Sequence, residues 1–152
     1  MLSWLESTAL AVWVGQSPSV WALPTVLTVH TTGLALLVGA SWVLDLRLLG
    51  IGRTVPLSAF RWVFPVVAVG LTLNVLTGVL LFMKNATTLG TSLPFLVKMS
   101  LVVASVATLV PIRAHVLRGG PAGGRVHLWA IASILAWTGA VTAGRLLAYL
   151  VA

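Results

Sequence analysis

The chain contains no cysteine, so no disulfide, thiolate metal site or cysteine nucleophile is available to it. Its only acidic side chains are Glu6 and Asp45. With so few carboxylates, and with no G-x-S-x-G, H-E-x-x-H or comparable spacing, a hydrolytic enzyme is not indicated. Charge of either sign is scarce: 7% of residues are charged and 59% are hydrophobic, with a mean hydropathy of +1.10. A water-soluble domain of 152 residues would lack the polar surface to cover that apolar content, so the bilayer must act as solvent. A basic cluster interleaved with aromatics is also missing. The formal charge of +7 comes from cations standing singly at the ends of apolar runs, which is how lysine and arginine fix orientation in a membrane. Nucleic acid is therefore not an expected partner; the lipid bilayer is.

What the chain does have is four apolar segments, each near the ~20 residues needed to cross a bilayer. They run from about 20–49, 58–83, 94–117 and 126–149. Their connections are short, which forces neighbours antiparallel. The predicted fold is all-α, an integral membrane four-helix bundle. Residues 1–16 are apolar but too short to span. Ser3 and Glu6 match the S-x-x-E capping box, and Trp4 and Trp13 suit the headgroup zone, so this segment is expected to be an interfacial amphipathic helix. It carries neither the positive n-region nor the small-residue cleavage pattern of a cleaved signal peptide. Lys84 to Ser92 is expected to be a polar loop. Pro111 is expected to weaken or kink the third span, and the glycine-rich stretch Arg118 to Arg125 to be a plain turn. Arg47, Arg53, Arg61, Arg113, Arg118 and Arg125 cluster at the first and third connections. The positive-inside rule then places both termini outside, in the periplasm for a bacterial inner membrane.

The first span organises the rest. Across Thr25 to Gly50 its titratable residues short of the terminal arginine are His30 and Asp45, 15 positions apart. That separation puts them on one side of a helix, within roughly 60° of each other. Ser41 and Leu37 lie between them on the stripe and Gly33 borders it. Lipid would not accept an imidazole, a hydroxyl and a carboxylate, so the stripe should face protein. Asn74 shares a stripe with Gly70, Thr77 and Gly78, a small-residue face suited to close helix packing. Lys98 and Arg145 fall at a depth close to His30; they either snorkel to the headgroups or converge on it. Asp45 is expected to pair with Arg113. His115 and His127 lie near water. His30 is either hydrogen-bonded to a neighbouring helix or a ligand, since neutral imidazole binds iron and copper and titrates near neutral pH.

The runs VHTTGLALLVGASWVLDLRLLG, LTGVLLF, PFLVKMSLV and WTGAVTAGRLLAYL resemble a family of small four-span bacterial membrane proteins defined by a domain of unknown function. The likeness extends from about Trp21 to the end. It includes His30, Gly33, Gly39, Asp45, Thr77-Gly78, Phe82, Phe95, Lys98, Gly144-Arg145 and Tyr149. More distantly the chain resembles copper-resistance membrane proteins and b-type cytochrome subunits, which also place histidines in compact bundles.

Three functional readings follow. In a redox subunit, His30 is an axial ligand to haem b or a hydrogen-bond partner of a quinone, Lys98 and Arg145 meet anionic groups, and Asn74 and Thr77 line the same site. Met99 is then the candidate second metal ligand. In an ion-handling protein for copper or protons, His30, Asn74 and Asp45 lie along one path, with Met83 and Met99 as entry ligands. In a scaffold or anchor subunit, which can assemble with itself or with other membrane subunits, the polar residues serve packing alone.

Overall fold

The computed structural model describes residues 2–121 and 123–150. Two short helices, α1 (Ser3–Glu6) and α2 (Ala9–Gln16), precede the long α3 (Ala22–Leu48). A 3₁₀ turn, Leu57–Trp62, leads into α4 (Val63–Lys84). Then come the one-turn α5 (Ala86–Gly90) and two more long helices, α6 (Leu93–Leu117) and α7 (Arg125–Leu150). Four helical segments are long and apolar enough to cross a membrane, the 3₁₀ turn joining α4 in the second of them. The protein is an all-α four-helix membrane bundle.

The helix ends follow from local chemistry. At Gly50, φ is +105°; Gly50 N–H donates to the Arg47 carbonyl at 3.2 Å and Ile51 N–H to Leu46 at 3.0 Å. Gly119, at φ +67°, repeats the pattern, its N–H on Val116 and Gly120 N–H on His115. Both are glycine caps of the Schellman type, which satisfy carbonyls that a helix end leaves free. Arg47 then binds the loop it leads into, Nε donating to the Val55 carbonyl and Nη2 to that of Arg53. Helix α6 runs through Pro111 to Leu117, giving up one backbone hydrogen bond.

Three local expectations are corrected. The N-terminal segment is two helices with a break at Ser7–Thr8, because Thr8 caps α2 by accepting from Ala11 N–H. The Ser3–Glu6 capping box is not formed: Glu6 Oε1 accepts from Thr87 N–H at 2.8 Å and Thr87 Oγ1 at 2.6 Å, so it caps the first turn of α5 instead. Lys84 to Ser92 holds that helical turn, where an open loop was expected. Helix α2 also docks on the bundle, burying Ala11 and Val14 against α3 and α4.

The long helices form two hairpins, α3–α4 and α6–α7, joined mainly through α3 and α7. Burial is uneven along the bundle. At the end holding the arginines, Leu37, Leu44, Leu48, Val63, Ile112, Val116 and Trp137 form a closed core. At the other end α4 and α6 stand apart, bridged by Phe82 and Phe95, whose rings stack with centroids 5.2 Å apart.

Candidate functional site

Two glycines bring the first hairpin into backbone contact. A Cβ at Gly70 would lie 2.7 Å from the Leu37 nitrogen and 2.8 Å from the Gly33 carbonyl oxygen; one at Gly33 would meet Leu73 Cβ at 2.9 Å. Only hydrogens fit there, and in lipid such close backbone packing is a main source of helix association. The crossing carries α4 side chains onto the next turn of α3. Asn74 Nδ2 donates to the His30 carbonyl at 3.1 Å. Thr77 Oγ1 lies 2.8 Å from His30 Nδ1.

The Thr77 hydroxyl hydrogen is committed to the Leu73 carbonyl, at 2.6 Å. Its oxygen therefore accepts, and His30 Nδ1 carries the hydrogen. In the neutral ring this leaves the Nε2 lone pair free. Gly78 adds only an open surface beneath the ring: a Cβ there would sit 3.5 Å from His30 Cε1.

The ring borders a pocket of about 440 Å³ at the end opposite the arginine-bearing connections. Its apolar wall includes Leu27, Leu81, Phe82, Phe95 and Leu147; its polar side chains are His30, Lys84, Asn85 and Lys98. Lys98 crosses toward α7, where a Cβ at Gly144 would lie 3.4 Å from its Cε. The Lys84 stem runs over Gly15 of α2, so the N-terminal helices help shape the mouth. Among the described residues no carboxylate lines this pocket, so its field favours an electron-rich or anionic group held among apolar walls.

Of the expected site residues, the fold brings together His30, Asn74, Thr77 and Lys98. It does not bring in Arg145. That residue is exposed, one position around α7 from Gly144, and the helix turns Gly144, Leu147 and Ala148 to the pocket. Met99 is likewise rotated away: it is 42% exposed and is not part of the wall that Phe95 and Lys98 form. Among the described residues no cluster of three His, Asp or Glu side chains could hold a metal. Lys84 and the Phe82–Phe95 pair were not expected in the site. The signal for Phe82 was its i+4 spacing from Gly78 on the stripe that carries Thr77.

The Asp45–Arg113 ion pair is not formed. Asp45 is fully buried and both of its oxygens lack a hydrogen-bond partner, whereas Arg113 is exposed with its guanidinium 6.0 Å from the centre of the Phe64 ring. The reason is topological. Helix α3 packs on α4 and α7, so the face bearing Asp45 meets Ser133 of α7. His115 Nε2 lies 3.0 Å from the Pro121 carbonyl, in the loop after α6.

No protein-family model matches the chain, and no curated protein or solved structure matches it either.

Proposed function

We propose that this is a multi-pass membrane redox subunit whose pocket receives the headgroup of a lipid-soluble quinone. The observation that carries the reading is the anchored imidazole. Thr77 fixes His30 through Nδ1 and leaves Nε2 as an acceptor beside a pocket that also holds Lys98. A quinone supplies two-electron, two-proton chemistry at its two ring oxygens. His30 Nε2 accepts the hydrogen bond of one hydroxyl in the reduced form, and the Lys98 ammonium donates to the other oxygen. Phe82, Phe95 and the leucines hold the apolar ring and exclude water.

A second reading, haem b, is favoured by the same Nδ1–H contact, since iron-ligating histidines are oriented in this way. His30 would be the protein ligand, with Lys84 and Lys98 at hand for the propionates. Among the described residues no second histidine and no methionine lines the pocket, which favours the quinone. The arginine end would face the cytoplasm of a bacterial inner membrane, with both termini in the periplasm. Electrons would pass to another membrane subunit or a second copy of the chain. The chain would also belong to the four-span family that it resembles.

The test is an absorption spectrum of the detergent-purified protein expressed with ample haem, followed by calorimetric titration with a short-chain benzoquinone. Binding that weakens about tenfold or more in His30→Ala and in Lys98→Ala is expected, each variant losing a hydrogen bond in a low-dielectric site. A Soret band lost in His30→Ala selects haem. Neither signal, with His30→Ala disturbing only assembly, overturns the redox reading in favour of a scaffold.

A further inference from the structure

The arginine end of the bundle holds a group that the pocket does not use. Asp45 is fully buried on α3, and neither carboxyl oxygen has a hydrogen-bond partner. On α7, Ser133 faces it, and Trp137 lies one turn further along the same side. Both are fully buried, and the Ser133 hydroxyl and the Trp137 Nε1–H also lack partners. The Ser133 hydroxyl departs from its neighbours. Ser41 and Ser105, equally buried, turn back onto the carbonyls of Leu37 and Leu101, each at 2.7 Å. Ser133 does not, and its hydroxyl stays free for a group across the helix interface.

We propose that Asp45 and Ser133, with the Trp137 indole beside them, form a proton-binding site in the bundle core, with Asp45 as the acid that holds the proton. The donor and acceptor count supports this. Protonation gives Asp45 an O–H that can donate to Ser133 Oγ and a carbonyl oxygen that can accept from Trp137 Nε1–H, which would pair atoms otherwise left without partners. A carboxylate at the same place would be a buried charge with no counter-charge, which costs several kcal/mol. Among the described residues no cation is paired with it. Arg47 on α3 is committed to the Val55 and Arg53 carbonyls. Arg61, before α4, is exposed and reaches the Leu117 carbonyl. On α6, Arg113 lies over Phe64 and His115 meets Pro121. On α7, Arg125 is exposed and His127 lies about 120° around the helix from Ser133. The site exchanges a proton with water and involves no redox partner. It lies at the opposite end from the pocket and stands whether or not a quinone binds there.

The chain has only two side-chain carboxyls, so infrared spectroscopy reads this site almost without background. The protein carrying Glu6→Gln is measured in detergent at neutral pH. The expected result is a carbonyl-stretch band of a protonated carboxyl that disappears in Asp45→Asn. In Ser133→Ala and Trp137→Phe the band should move to higher frequency as each removes one hydrogen bond. In parallel, the thermal midpoint of the parent should fall as pH rises from the ordinary carboxylate range to the pH at which Asp45 ionises, while that of Asp45→Asn stays level. A parent spectrum without the band at neutral pH overturns the proposal. A band that neither Ser133→Ala nor Trp137→Phe moves overturns the assigned partners, and these two variants keep the test decisive if Asp45→Asn does not fold.

Discussion

The two ends of the bundle are built from similar apolar residues and behave differently. At the arginine end Leu44, Leu48, Ile112, Val116 and Trp137 close on one another, and the carboxyl buried with them, Asp45, has no hydrogen-bond partner among the described residues. At the other end α4 and α6 separate, and the space between the hairpins is lined by His30, Lys84 and Lys98. The contrast shows where packing is spent on cohesion and where it is relaxed for access. In lipid, sequestering a leucine gains little by itself, because acyl chains are as apolar as the protein interior. Cohesion comes from close contact, so an end that gives up contact needs another reason to hold its shape. Here that reason is the Gly33–Gly70 crossing with the Asn74 and Thr77 hydrogen bonds that it permits.

Five substitutions can break or sharpen this contrast. The largest effect is expected from Leu44→Ala, which opens a cavity in the closed end; the lost contacts should cost about 2 kcal/mol or more in detergent unfolding, the low end of the range for soluble cores because no transfer from water is at stake. Leu81→Ala, which enlarges an existing pocket, should change stability by less than about 1 kcal/mol. Equal losses would mean that the two ends are packed alike.

Next comes Gly70→Ala, whose Cβ would collide with backbone and not with a side chain able to move away. A loss of about 1–3 kcal/mol is expected, with the α3–α4 distance increased in spin-label measurements. Thr77→Val should cost about 1 kcal/mol. Its sharper readout is nitrogen NMR of His30: the parent should carry its hydrogen at Nδ1, and the variant should show a mixture of tautomers.

The smallest effect concerns the N-terminal helices. Thr87, through its hydroxyl and then its N–H, holds the Glu6 carboxyl below the usual glutamate range. A depressed value means that the contact stabilises the folded state at neutral pH. That contribution is lost as pH falls through the depressed value. Cross-linking between α1 and α5 should therefore weaken on acidification, and Glu6→Gln should remove the pH dependence.

Much of this architecture is legible in the residues. Run length and hydropathy identify four spans, and the spacing of Gly70, Asn74, Thr77 and Gly78 marks a packing face, because helical period maps sequence directly onto angle. The pairing of faces is not legible in the same way. Arg145 and Lys98 have similar depth, but depth says nothing of rotation, and the fold turned one into the pocket and the other out. Asp45 and Arg113 sit near one boundary, yet Asp45 lies on the face of α3 that meets Ser133 of α7, and Arg113 lies over Phe64. Glu6 has the spacing of a capping box, yet an acceptor that can reach Thr87 across the fold has no need to bend back on its own helix.

By itself, then, the chain determined its solvent, its helices and the residues that cannot face lipid, because hydropathy and the 3.6-residue period act locally. Only the tertiary structure decided which polar groups meet. The free nitrogen of His30 and the isolation of Asp45 both arise from which helix lies beside α3 at each depth, and that is settled by two hydrogen-sized side chains at Gly33 and Gly70 and by the antiparallel fit of α7.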